Sequence, residues 1–353
     1  MDFTRTLIIK PSSMGDIVQA LPVLTALRET HPTAHIAWLV ARPFAGLLEG
    51  HPRLNELILF DRHRFGNIAT SVGATGEFLT FLENLRRQKF TLAIDLQGLF
   101  RSGFLAAASG APDRVGFKAA REMAGLFYTT KVSTRGEVHA VDRYLAVAHS
   151  LGLAGPKATD HLPISEEARA SVRRRLAEEG VAENEPLLVV AAHARWETKQ
   201  WPGERFARVI ELAHSQTGAR AVLVGSSAAT DLSREVARAA AKARPVDLVN
   251  RTSLRELVAL IAGARAMVTN DSGPMHVSAA VGTPVVAIFG PTHPERTGPY
   301  GPGHRVLSQQ STCSPCFRRQ CLFARGPQAL CCLKNVAAEE VARHLFEVWN
   351  SKR

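Results

Sequence analysis

Asp16 stands where an apolar run gives way to small residues, in LIIKPSSMGDIVQALPVL at residues 7–24. The turn Ser12-Ser13-Met14-Gly15 precedes it, and a helix-like pattern follows. Ser13 and Gly15 keep the corner small, so backbone can approach a ligand closely. Neither G-x-G-x-x-G nor G-K-[ST] is present, which excludes a dinucleotide fingerprint and a Walker loop. Asp16 fits two roles. As an N-cap it accepts amide hydrogens from the first helical turn and is a weak base. As a general base it keeps an oxygen free toward a cleft. The turn alone leaves both open.

Three further stretches carry chemistry. HARWETKQWPGERF, residues 193–206, directly follows the apolar run LLVVAA. Lys199 lies there in a polar loop and can neutralise a phosphate. Trp196 and Trp201 in the same loop indicate a packed, shaped structure. Arg195 is a second candidate cation, or a partner for Glu197. In VTNDSGPMHVSAAVGTPVVAIFGPT, residues 268–292, Ser272 and Gly273 open a helix. Small residues there leave amide hydrogens and the positive helix end facing outward, an anion site. Asp271 beside them would repel phosphate and suits sugar hydroxyls better; an Asp-capped turn is the simpler alternative. His276 falls in the first helical turn, where histidines more often pack or cap than catalyse.

The last stretch is CSPCFRRQC, followed by Cys331-Cys332. All five cysteines lie between Cys313 and Cys332, which argues against a secreted disulfide framework. Cys313, Cys316 and Cys321 with Cys331 or Cys332 would supply four thiolates for zinc or an iron–sulfur cluster. The spacing is irregular, so reduced, packed cysteines and no metal are expected.

The elements that position these residues alternate along the chain. Strands are expected at residues 6–9, 35–40, 56–60, 92–95 and 114–116, with helices at 16–30 and 78–88 between them. Residues 155–163 break the rhythm with Gly, Pro and polar residues, and a charged helix follows at 166–179. The alternation then restarts, with strands at 187–191, 219–224, 266–269 and 285–289 and helices at 203–216, 231–243, 254–262 and 275–281. This pattern predicts an α/β fold with two doubly wound parallel-sheet domains facing each other across a cleft. The expected division is residues 1–160, a linker helix at 161–185, a second domain at 186–335 and a C-terminal helix at 336–353. At 353 residues and 46 % hydrophobic content the chain has ample core for two domains. Its net charge of +11 implies an anionic partner: nucleic acid, membrane surface or phosphorylated substrate. No run approaches the ~18 apolar residues of a spanning helix, and MDFTRTLIIK is no signal peptide. A cytoplasmic location follows as an expectation.

SSMGDIVQALPVL, DLQGLFRSGFLA, HAVDRYLAVAHSLG, ARWETKQWP, NDSGPMHVSAAVGTPVVAIFGPT and CSPCF, in this order and spacing, together resemble the ADP-heptose:lipopolysaccharide heptosyltransferase family. The resemblance runs from about residue 5 to 345. REMAGLFY and HAVDRY look closer to heptosyltransferase I, whereas the cysteine-rich tail resembles other members more. The resemblance implies a GT-B fold and inverting transfer from ADP-heptose to the Kdo/heptose inner core of lipopolysaccharide, without a metal ion or other cofactor. It implies Asp16 as general base, Lys199 on the donor phosphates, and Asp271, Ser272 and Gly273 on donor sugar and phosphate. Some members carry Thr-Thr where this chain has Ala194-Arg195, so Arg195 takes that place as a donor ligand. A glutamate that holds the nucleotide in some members has no clear equivalent in GSSAATD, residues 225–231. On this reading Ser13, Gly15, Arg62, Arg64, Arg101 and Arg121, with Lys118, face an anionic lipid-borne acceptor at the inner face of the cytoplasmic membrane.

Two alternatives stand beside it. One is a nucleotide-sugar epimerase or hydrolase on the same scaffold. The other is a basic nucleic-acid-binding protein, which lacks any recognised module or aromatic–basic interleaving. Val341, Leu345 and Val348 recur at helical spacing, with Phe346 and Trp349 alongside. From the resemblance, this final helix is expected to cross back onto the N-terminal domain.

Overall fold

The computed structural model describes residues 1–61, 64, 72–155, 162–309, 311, 313–323, 325–326 and 328–351. The chain divides into two compact units, Met1–Pro163 and Ile164–Arg353.

The N-terminal unit runs β1 (Arg5–Ile9), α1 (Met14–Thr30), β2 (His35–Ala41), β3 (Glu56–Phe60), α2 (Val72–Arg87), β4 (Leu92–Asp95), α3 (Phe100–Ala108), β5 (Asp113–Phe117), β6 (Thr130–Val132) and α4 (Ala140–Ser150). Its six strands are all parallel, in the order β3-β2-β1-β4-β5-β6. Leu7, Ile8 and Ile9 are fully buried because helices cover both faces of the central strand, which is why β1 reads as an unbroken apolar run. One face packs Leu7, Ile9, Leu39, Phe60, Leu85 and Leu105 into a single cluster. The strand order reverses between β1 and β4, so the crevice such sheets use for ligands opens at the carboxyl ends of those two strands.

The C-terminal unit runs α5 (Glu166–Glu178), β7 (Leu187–Ala191), α6 (Gly203–Thr217), β8 (Arg220–Leu223), α7 (Thr230–Ala239), β9 (Val246–Asp247), α8 (Leu254–Gly263), β10 (Ala266–Asn270), α9 (Gly273–Ala280), β11 (Val285–Phe289) and β12 (Arg305–Ser308). These strands are also parallel, in the order β12-β11-β10-β7-β8-β9, and the reversal lies between β10 and β7.

Two expectations change. The charged helix α5 is part of the C-terminal unit, where Glu256 of α8 accepts hydrogen bonds from Ser171 Oγ at 2.6 Å and Arg175 Nε at 3.1 Å. The final helix, Ala338–Asn350, packs on its own sheet. Val341, Leu345, Val348 and Trp349 join Phe206, Ile210, Val286 and Ile288 in one buried cluster. Arg265 Nη2 closes its end with a 2.6 Å bond to the Trp349 carbonyl. The apolar stripe is thus consumed within the C-terminal core; helical periodicity fixes a buried face but not the partner that buries it. The edge strands β6, β9 and β12 escaped the sequence pattern because each is short and flanked by turns.

Candidate active site

Each unit carries its own cluster of polar groups at its strand reversal. In the N-terminal unit Ser13 is the N-cap of α1, with extended backbone, and Asp16 occupies the third helical position. Its Oδ2 accepts the Ser13 backbone N–H at 2.9 Å and the Ser13 hydroxyl at 2.6 Å. This is the carboxylate half of a capping box. Asp16 therefore braces the cap from the third position and is not itself the N-cap. Gly15 beside it is buried.

Its Oδ1 lies 3.8 Å from Nζ of Lys10. Lys10 ends the apolar run of β1 and is only 3 % exposed, whereas 41 % of the Asp16 side chain faces solvent. The Lys10 ammonium donates to the Leu96 carbonyl at 3.1 Å and sits 5.0 Å from the Tyr144 ring centroid. Burial works against its charge, yet Tyr144, Asp16 and Asp95 around it hold its pKa above the ordinary lysine value. The arrangement leaves Asp16 a charged carboxylate partly open to solvent, as a proton acceptor requires.

Behind this pair lies Asp95, fully buried at the end of β4. It accepts the Tyr128 hydroxyl at 2.6 Å and the amides of Gln97 and Gly98 at 2.8 and 3.1 Å. Burial raises its pKa against those hydrogen bonds. Gly116 makes the contact possible, since a Cβ there would overlap the Tyr128 ring. Sequence reasoning missed Lys10, Asp95, Tyr128 and Tyr144. The available signal was a charged residue directly ending each of two buried strands.

The expected acceptor cations divide. Arg101 in α3, and Lys118 and Arg121 after β5, are exposed on the carboxyl side of the sheet. The Arg121 amide is bonded to the Gly98 carbonyl at 2.9 Å, which ties two of these loops together. Arg64 pairs with Glu77 of α2, so its charge is already partnered. Arg62 lies outside the described residues.

In the C-terminal unit the loops after β7 and β10 meet. The amide of Asn270, at the end of β10, donates to the Ala192 carbonyl at 2.6 Å and accepts the Trp201 backbone N–H at 3.0 Å. This stitching brings Lys199 onto Asp271. The two form a salt bridge, with 18 % and 5 % of their side chains exposed. Thr292 donates to the same Asp271 oxygen at 2.6 Å. Lys199 Nζ also stands 4.7 Å from the Trp196 ring centroid. Asp271, expected to meet sugar hydroxyls, here neutralises the lysine expected to meet phosphate. An ammonium has three donors, so this bond leaves Lys199 others for an anion.

Ser272 caps α9 with extended backbone, and Gly273 is its first residue. The first-turn amides of that helix form a positive end next to Lys199. His276 is buried within the helix, and Arg195 is exposed with no ion-pair partner among the described residues. Residues 318 and 319 meet this half-site: Thr198 donates to the Arg318 carbonyl at 2.7 Å, and the Arg319 guanidinium stands 5.4 Å from the Trp196 ring centroid. Among the described residues no set of three or more His, Cys, Asp or Glu is placed to hold a metal ion.

The model of glycosyltransferase family 9 (heptosyltransferase) matches residues 78–325. The chain belongs to this family. It is 31 % identical over 324 residues to lipopolysaccharide heptosyltransferase 1 of Pseudomonas aeruginosa, covering 90 % of this chain and 88 % of that one. Among solved structures, Escherichia coli heptosyltransferase WaaC with ADP superposes at TM-score 0.75 with 27 % identity, covering 98 % and 99 % of the two chains. A family 9 glycosyltransferase from Veillonella parvula gives 0.82 at 24 % identity over 99 % and 97 %, a likeness of fold. The family 9 member is therefore a glycosyltransferase with the two Rossmann-like units of the GT-B class, as its motifs led us to expect. Neither the epimerase nor the nucleic-acid reading is favoured by these likenesses.

Proposed function

We propose that this protein is heptosyltransferase I, moving heptose with inversion from ADP-heptose to Kdo of the lipopolysaccharide inner core, at the inner face of the cytoplasmic membrane and without a metal ion. The relative at 31 % identity carries the name heptosyltransferase 1, and WaaC was solved with ADP and with ADP-2-deoxy-2-fluoro heptose. The observation that carries the chemistry is the Asp16 carboxylate, held by Ser13 and Lys10 yet open to solvent at the carboxyl end of β1.

In the proposed reaction an acceptor hydroxyl oxygen forms a bond to the anomeric carbon as the bond from that carbon to the diphosphate oxygen breaks. Asp16 takes the hydroxyl proton. The leaving ADP gains negative charge, which Lys199 and the first amides of α9 stabilise. Asp271 holds the lysine in place until the diphosphate arrives and then shares it. Arg195, Ser272, Gly273 and His276 complete the proposed donor side. Gly15, Arg101 and Arg121 belong to the acceptor side. A transfer assay with ADP-heptose tests the reading, comparing Kdo-bearing with heptose-bearing lipid acceptors in the presence of chelator. Turnover only on the heptose-bearing acceptor would replace heptosyltransferase I with a later-acting member, and abolition by chelator would refute metal independence.

A further inference from the structure

We propose that the start of α3 and the turn at residues 121–127 form a docking surface for an anionic lipid bilayer. The inference rests on the lipid-acceptor reading above, because it explains how such an acceptor would be met. Phe100, Met123 and Leu126 are 50 %, 69 % and 70 % exposed. Single exposed hydrophobes are ordinary, but large ones gathered on one surface mark an interaction site.

These three are gathered by packing. Phe100 meets Phe127 edge-on at 5.3 Å between centroids. One turn on, Gly103 lets α3 press against the same segment: a Cβ there would stand 2.8 Å from the Phe127 ring and 3.0 Å from the Ala124 carbonyl. Arg114 fastens the segment from the sheet side, donating to the Phe127 carbonyl at 2.7 Å. Leu126 and Met123 are therefore displayed from a firmly seated loop. Glu122 and Met123 have φ of 52° and 60°, a left-handed conformation that non-glycine residues adopt at a cost.

Charge selects the occupant. Arg101, Lys118 and Arg121 are exposed on the same loops as the apolar residues, alongside the carboxylate of Glu122, and the chain as a whole carries +11. Apolar side chains inside a basic rim suit the interface of a bilayer bearing anionic headgroups. The place also fits. The segments leave the carboxyl ends of β4 and β5, the same side of the sheet from which β1 leads to Asp16.

The test uses the full chain with sedimented vesicles of phosphatidylcholine alone or with added phosphatidylglycerol. Wild type should bind the anionic vesicles, and Met123→Ser/Leu126→Ser should bind about tenfold more weakly or less. The variant should keep its melting temperature and its turnover on a deacylated, water-soluble acceptor, and lose turnover on acceptor embedded in vesicles. Leu126→Ser alone provides an intermediate case. Equal vesicle binding by wild type and variant overturns the proposal. So does a wild type that ignores vesicles but forms a dimer that the substitutions break, which would make the patch an interface between copies. Vesicle binding lost in the variant, with no transfer by wild type on either acceptor, keeps the docking surface and refutes the lipid-acceptor reading instead.

Discussion

Replacing Asp16 by Asn separates a proton acceptor from a helix brace. The Asn amide oxygen can still accept the Ser13 N–H, but the charge facing Lys10 disappears. At the observed 3.8 Å, two unit charges in an effective dielectric of about 20 interact by about 4 kcal/mol. With 41 % of the carboxylate side chain exposed, solvent screening reduces this to roughly 1–2 kcal/mol. Weakening the charge-assisted bonds from Ser13 adds about 1 kcal/mol. The expected loss of roughly 2–3 kcal/mol lowers the melting temperature by about 4–10 °C, while the protein stays folded at assay temperature. Loss of the proton acceptor should slow transfer by about 100- to 10,000-fold. Calorimetry gives the first quantity, and initial rates of ADP release well below the melting transition give the second. Lys10→Met is the matched control, removing the same ion pair while sparing the carboxylate. It should cost at least as much stability, since the Leu96 carbonyl also loses its donor, but slow transfer only about tenfold, through loss of orientation. An Asp16→Asn enzyme that melts early yet turns over within about threefold of wild type would refute the base assignment and leave Asp16 a structural brace.

Lys199→Ala should weaken ADP binding by about 10- to 150-fold, the range for a charged hydrogen bond, and more at low salt; calorimetric titration at two ionic strengths measures it. Truncation after Asn335 removes the buried Val341, Leu345, Val348 and Trp349, a loss of roughly 6–12 kcal/mol against a typical total of about 5–15. ADP binding and folding should disappear together, and a truncated chain that still binds ADP would contradict the packing described. Burial opposes ionisation of Glu256, but bonds from Ser171, Ser253 and Arg175 outweigh it and lower its pKa from 4.5 to about 2. Its stabilisation, roughly 3 kcal/mol, is therefore complete above pH 4.5 and fades as pH falls toward 2. Urea midpoints across that window should fall in wild type and be flatter in Glu256→Gln.

The sequence by itself determined the two α/β units and the identity of most strands and helices. Strands buried on both faces read as apolar runs, as residues 7–9 of β1, residues 92–94 of β4, and all of β7 and β11 do. It also pointed to the loops of the candidate site, because parallel sheets place ligands at strand ends, and Asp16, Lys199 and Asp271 do stand there. What it could not decide is pairing at long range. Lys10 reaches Leu96 across two neighbouring strands, and Tyr128 reaches Asp95 only because Gly116 leaves room. Lys199 and Asp271 are 72 positions apart, and their motifs suggest a separate ligand for each, whereas the fold joins them in one salt bridge. The final helix offers the same lesson: its stripe of Val341, Leu345 and Val348 announces burial, but the hydrophobic effect has no direction, and only the tertiary structure reveals that β10 and β11 lie beneath it.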